Sequence, residues 1–200
     1  MENFNDEYYL VYRVNNPNYP AVELNEDENE IDLRWETEPI EDCDLVKMKF
    51  MEPYPKKSEM VDFHSDGITN CFSQKIYAIL NSLSIYGVQL LHGEVLNPKK
   101  KEVYNNYYYL HTHNYIQCLD KVQPEFVSAV DGDILSISKI VLNQGVLSKI
   151  PQAERLIFRL DEMSSFQLFH QSVVNAIMAT EPQGIRFVKA SDYHTGSAFE

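Results

Sequence analysis

The sequence has no long apolar run and few cysteines. A membrane-spanning helix needs roughly 20 consecutive apolar residues, and no stretch of the 200 residues approaches that length. The start of the chain also lacks the basic segment and the apolar run of a secretion signal. The three cysteines, Cys43, Cys71 and Cys118, show no C-x-x-C spacing, which argues against a disulfide framework or a thiolate zinc site. We expect a cytoplasmic chain with reduced, mostly buried thiols and no membrane partner.

Short enzyme motifs are absent as well. There is no G-x-G-x-x-G after a strand and no G-x-x-x-x-G-K-[ST], the glycine-rich patterns that cradle nucleotide phosphates. No G-x-S-x-G elbow accompanies the serines. The acidic run EDENE lacks the glycine and the closing glutamate of a calcium loop. These absences favour a protein that is not an enzyme and that needs no cofactor.

Positive charge is scarce. The chain has 17 basic and 30 acidic side chains and a net charge of −13. Residues 1–60 hold 16 acidic and 6 basic side chains, a net charge of −10, which leaves −3 for residues 61–200. Such a field repels nucleic-acid phosphates and attracts a basic partner, although an acidic surface also serves solubility. We therefore expect no direct contact with nucleic acid.

The apolar content indicates one folded domain of the α+β class. A hydrophobic content of 44% in a chain of this length suits a single core. We predict a single domain with a mixed or mostly antiparallel sheet and two main helices. Residues 1–60 would form its acidic, strand-rich N-terminal part, and residues 61–200 its α+β core. Short stretches rich in β-branched and aromatic residues predict strands at 7–14, 45–51, 88–96, 107–120, 134–142, 155–160 and 184–188.

Two segments show helical periodicity. Apolar residues recur at helical spacing between Thr69, a capping residue type, and Gly87, which predicts a helix over residues 69–86. A second apolar stripe follows Ser164 and Ser165, either of which can cap a helix. It predicts a helix over residues 165–181, with His170 on the apolar side as a buried core histidine.

The stretch YYYLHTHNYIQCLD, residues 107–120, places His111 and His113 on one face of a predicted strand. Two imidazoles at this spacing can bind one metal ion, and a third ligand would come from His64, His92, His170 or His194. However, Gln117 stands where a strand-borne site of this kind would place a carboxylate. Histidines among tyrosines on a half-buried face usually pack and make hydrogen bonds. We predict that the pair is structural, and a metal site remains the alternative.

One acidic run is a candidate contact surface. Five carboxylates crowd into seven residues, and a density of this kind repels itself and keeps the segment solvated. A basic partner would relieve that repulsion on binding. These residues are Glu26, Asp27, Glu28, Glu30 and Asp32.

Several motifs in the C-terminal two thirds follow one another in an informative order. They are YYYLHTHNYIQCLD, then KIVLNQGVLSKIP, then ERLIFRLDEMSSFQLFHQSVVNAIMATEPQGIRFV, and DYHTGSAF at the end. Taken together, this order resembles immunity protein family 11 of bacterial polymorphic toxin and type VI secretion systems. The resemblance runs from about residue 66 to residue 199, and residues 1–60 share less of it.

The resemblance implies a binding protein that neutralises a cognate secreted toxin in the producing cell and its siblings. The matched positions are apolar and turn-forming residues, so they supply a scaffold and no catalytic residue. A basic active site such as that of a nuclease would suit the acidic N-terminal part. Two alternatives stay open, a small metal-dependent enzyme or metal-binding module using His111 and His113, and an adaptor without a toxin.

Overall fold

The computed structural model describes residues 3–120, 126–128 and 134–199. These residues form one α+β domain. Its elements are, in chain order, α1 (Phe4–Glu7), β1 (Tyr8–Arg13), β2 (Val22–Leu24), β3 (Val46–Phe50), β4 (Phe63–Ser65), β5 (Asn70–Ser73), α2 (Gln74–Ser82), β6 (Val88–Asn97), β7 (Glu102–Thr112), β8 (Tyr115–Ile116), β9 (Phe126–Ser128), β10 (Ile134–Ile137), α3 (Gln144–Leu147), β11 (Ile157–Leu160), β12 (Met163–His170), α4 (Gln171–Met178) and β13 (Ile185–Lys189).

Two mixed sheets organise the fold. The six-stranded sheet has the order β2-β3-β6-β7-β5-β4, and the five-stranded sheet has the order β13-β1-β12-β11-β8. Each sheet contains one parallel pair, β3 with β6 and β11 with β8, and the other pairs are antiparallel. Strands β9 and β10 form a separate antiparallel pair. The prediction of a mixed or mostly antiparallel arrangement is confirmed, with two main sheets in place of one.

Helices α2 and α4 pack against each other and contribute to the core that the two main sheets share. Ile76 of α2 and Ile177 of α4 are fully buried against Leu110 of the six-stranded sheet and Phe169 of the five-stranded sheet. The apolar stripe of each helix therefore supplies the shared core, as expected of an amphipathic helix. No helix among the described residues is long and apolar enough to span a membrane.

A second apolar cluster covers the opposite face of the six-stranded sheet. Met48, Val95 and Tyr109 of this sheet pack there against Leu33 and Ile40, which belong to the long connection between β2 and β3. A third cluster covers the opposite face of the five-stranded sheet and contains α1 and the residues around α3. The N-terminal third thus contributes to both sheets and to their outer cores.

The predicted helices are shorter than the sequence pattern indicated. The segments predicted at residues 69–86 and 165–181 are helical only over α2 and α4. Residues 70–73 form β5, and residues 163–170 form β12, which pairs with β1 and β11. The last four residues of β12 are all buried, so its apolar residues are not restricted to alternate positions. A strand covered on both faces is hard to distinguish from a buried helix by periodicity.

Candidate functional site

The connection between β2 and β3 is a long loop, residues 25–45, in which every residue is described and none lies in a helix or strand. Its ends are tied together, because the Asn25 N–H donates to the Lys47 carbonyl at 2.9 Å. The Asn29 side chain donates to the same carbonyl at 2.9 Å and accepts from the Lys47 N–H at 2.9 Å. Loops of this length without secondary structure usually carry function or are disordered.

Most of the net charge of the protein lies on this loop. Residues 26–44 contain ten acidic side chains and one basic side chain, Arg34, so they carry −9 of the total −13. The five acidic side chains predicted as a contact surface are all exposed, and so are four of the five further acidic side chains of the loop. The further acidic residues are Glu36, Glu38, Glu41, Asp42 and Asp44. We call residues 26–44 the acidic loop.

Little of this charge is neutralised within the described part of the protein. Arg34 lies 3.5 Å from Glu26 and 3.3 Å from Asp66, whereas Lys47 pairs at 2.6 Å with Glu94, a residue of the neighbouring strand. Arg34 is the one basic side chain of the acidic loop, against ten acidic ones. The loop therefore presents a strongly negative field to solvent.

Buried contacts hold the acidic loop against the six-stranded sheet. Leu33 is 2% exposed, and its carbonyl accepts a hydrogen bond from the Tyr109 hydroxyl at 3.1 Å. Burial raises the pKa of Tyr109 to about 12, so this phenol remains a donor. Gln89 of β6 pairs with both backbone groups of Ile40, at 2.8 Å and 2.9 Å. These contacts fix the backbone of the loop at two points and leave its carboxylates in water.

His111 provides a third point of attachment. Its Nε2 donates to the Glu38 carbonyl at 2.8 Å, so that nitrogen carries the proton. The side chain is 1% exposed, and burial lowers the pKa of His111. The imidazole is therefore neutral near pH 7. The strand that carries Tyr109 and His111 is confirmed as part of the sheet, and its outer face supports the acidic loop.

His113 lies beside His111 but beyond the end of the strand. Strand β7 ends at Thr112, and the chain then crosses to β8 in the other sheet. The two imidazole rings remain close, with centroids 5.6 Å apart and planes at 28°. Burial lowers the pKa of His113, and its Nδ1 is buried without a hydrogen bond among the described residues. The predicted strand over residues 107–120 is therefore confirmed up to Thr112, and beyond it only the short strand β8 follows.

The structure does not bring a third predicted metal ligand to this histidine pair. His64 is buried between the Pro20 carbonyl and the Val61 N–H, at 2.9 Å and 3.1 Å. His92 bonds to the Asn105 carbonyl, and His170 caps α4 through Ser172. His170 is buried, as predicted, but it ends β12 and does not lie within the helix. Among residues 3–120, 126–128 and 134–199, no three His, Cys, Asp or Glu side chains are grouped for a metal.

A groove separates the two arms of the acidic loop. It has a volume of about 470 Å³ and runs between residues 28–33 and residues 41–47. Carboxylates line it on both sides, and the apolar side chains of Ile31 and Leu45 also contribute. On the same loop Trp35 is 67% exposed and Ile31 is 39% exposed. The surface therefore combines a high negative charge with exposed apolar side chains.

Trp35 and the second acidic arm were missed by the interpretation of the sequence. That interpretation concentrated on the densest acidic run and ended with Asp32. A longer window would have shown that carboxylates continue to Asp44 without an intervening basic residue except Arg34. The sequence also predicts an acidic loop or edge over residues 23–36, and the length of the stretch between the strands predicted at residues 7–14 and 45–51 is itself a signal of a functional loop.

No protein-family model matches the chain, and a search of curated proteins finds no similar sequence.

Proposed function

We propose that this protein is an immunity protein that binds a cognate secreted antibacterial toxin and blocks the toxin's catalytic domain. Two observations support the proposal. The ordered motifs over residues 66–199 resemble immunity protein family 11, and residues 26–44 hold a net charge of −9 on an exposed loop. The fixed acidic loop is the observation on which the binding mode rests.

The mechanism is steric and electrostatic. A toxin that binds a negatively charged substrate, such as a nuclease, needs lysine and arginine side chains around its active site. The acidic loop offers carboxylates to such a site, and its three attachment points reduce the conformational entropy lost on binding. The protein would act in the cytoplasm of the producing cell and needs no reactive group or cofactor for this role.

The cysteine thiols are consistent with a non-catalytic role. Burial raises the pKa of Cys71 and of Cys118 well above the ordinary range of a thiol. All three cysteines are free, Cys71 and Cys118 are buried, and Cys43 is partly buried. A thiol with a raised pKa is a poor nucleophile because the thiolate is the reactive form.

Co-expression with the adjacent reading frame tests the proposal. An immunity gene normally lies directly beside its toxin gene, so the neighbour's product should stop growth when expressed alone in a bacterial host. Co-expression of this protein should restore growth, and the two proteins should purify together. A neighbour that is toxic but is neither bound nor neutralised would contradict the proposed function.

A further inference from the structure

Trp35 is an exposed aromatic side chain held on a rigid part of the acidic loop. It is the sole tryptophan of the chain. The backbone N–H of Trp35 donates to the Asp32 carbonyl at 3.1 Å, which closes a turn over residues 32–35. Within that turn Leu33 is buried against Tyr109, and Arg34 contacts Asp66 at 3.3 Å. The indole is therefore carried by a turn whose two central residues contact Tyr109 of the six-stranded sheet and Asp66, the residue that follows β4.

An exposed tryptophan on a negatively charged loop suits a positively charged partner. Tryptophan is the aromatic side chain that attracts cations most strongly through its ring face. Asp32 and Glu36 lie three residues before it and one residue after it in the same loop, so a cation that reaches the ring enters a region of high negative charge. Fixed aromatic side chains lose little entropy on binding, and tryptophan and arginine dominate binding hot spots.

We propose that Trp35 anchors the partner-binding surface by stacking on an arginine side chain presented by a basic protein. The planar guanidinium can lie flat on the indole while its N–H groups pair with a neighbouring carboxylate. A lysine ammonium offers charge without a planar face, so the site prefers arginine to lysine. This inference rests on the proposed function, because it names the chemistry through which the acidic loop recognises the toxin.

Binding of short basic peptides to the full-length protein tests the arginine preference directly. The probes are fluorescently labelled octa-arginine and octa-lysine, which carry the same charge, measured by fluorescence anisotropy at low salt. Wild-type protein should bind octa-arginine at least about three-fold more tightly than octa-lysine. Trp35→Ala should weaken octa-arginine binding by about five-fold and remove most of the preference, whereas Trp35→Phe should keep part of it.

Tyr86→Ala is the matched control, because Tyr86 is 60% exposed and lies outside the acidic loop. It should leave both affinities unchanged, and thermal unfolding should be unaffected in either alanine variant. Equal binding of the two peptides by the wild-type protein, or unchanged binding by Trp35→Ala, would overturn the anchor. If the co-expressed neighbour fails to bind, the proposed function fails, whereas the peptide preference still reports on Trp35.

Discussion

At the scale of single residues, His111 shows how a side chain with metal-binding potential can serve as a structural support. Its spacing from His113 is that of a chelating pair, yet its Nε2 proton is directed at the Glu38 carbonyl. This hydrogen bond fixes the orientation and the tautomer of the ring and ties the strand to the acidic loop. The sequence could indicate the face on which His111 lies, but not the loop that covers this face.

We predict that His111 and His113 bind no structural metal. Metal analysis of protein purified without an affinity tag should find less than one equivalent of zinc, nickel or iron. The physical reasons are that no third His, Cys, Asp or Glu is grouped with the pair among the described residues, and that hydrogen bonds hold His64 and His92 elsewhere. One equivalent of metal that disappears on replacing both His111 and His113 by alanine would favour the metal-dependent alternative.

At the scale of elements, different atoms of the acidic loop serve attachment to the sheet and electrostatic attraction of a partner. Its buried residues and backbone attach it to the sheet, and its carboxylates create a long-range field. Fields of this kind accelerate association more than they tighten the final complex. Exposed charges are also screened beyond roughly 8 Å at physiological salt.

Removing the five predicted contact carboxylates should slow association without unfolding the protein. The variant carries Glu26→Gln, Asp27→Asn, Glu28→Gln, Glu30→Gln and Asp32→Asn. Its association rate with a catalytically inactive form of the neighbouring toxin should fall by about ten-fold at low salt. The dependence of this rate on salt should become shallower, and the thermal midpoint should stay close to that of the wild type. Stopped-flow kinetics at several salt concentrations measure these rates.

A charge-matched variant serves as the control for that experiment. It removes five carboxylates that are exposed outside the acidic loop, namely Glu52, Glu102, Glu154, Asp161 and Glu181. If the loop is the contact surface, this control should reduce the association rate much less. Equal effects of the two variants would mean that only the total charge matters.

The elements also show where the sequence was sufficient and where it was not. Strands at residues 7–14, 45–51 and 88–96 were predictable, because short β-rich runs end there at turn residues. The lengths of α2 and α4 could not be predicted, because the preceding strands β5 and β12 are buried and their apolar residues continue the helical pattern. The attachment of the acidic loop depends on Gln89 and His111, which lie far from it in sequence and whose partners are backbone carbonyl and amide groups. Side-chain patterns carry no signal for such contacts.

At the scale of the whole molecule, buried neutral histidines make stability depend on pH. His64 is fully buried, and burial lowers its pKa from 6.5 to about 4. In the unfolded chain the same imidazole takes up a proton below pH 6.5. The protein is therefore most stable above pH 6.5, and its free energy of unfolding decreases as the pH falls from 6.5 towards 4.

We predict that the free energy of unfolding falls by about 1 kcal/mol between pH 7 and pH 5.5 through His64 alone. His111, His113 and His170, whose pKa values are also lowered by burial, add to this loss. Urea denaturation at the two pH values measures it. His92→Gln, at an exposed position, should keep the same decline, and a stability that does not change over this interval would contradict the prediction.

The position of β1 has a consequence for synthesis on the ribosome. This strand lies between β12 and β13 in the five-stranded sheet, so both of its neighbours are translated long after it. Tyr8, fully buried in the final structure, remains uncovered until residues 155–170 have been synthesised. A nascent chain therefore cannot complete this sheet before Ile185–Lys189 has left the ribosome. A ribosome that stalls before residue 185 would yield a chain whose first strand lacks one of its two partners.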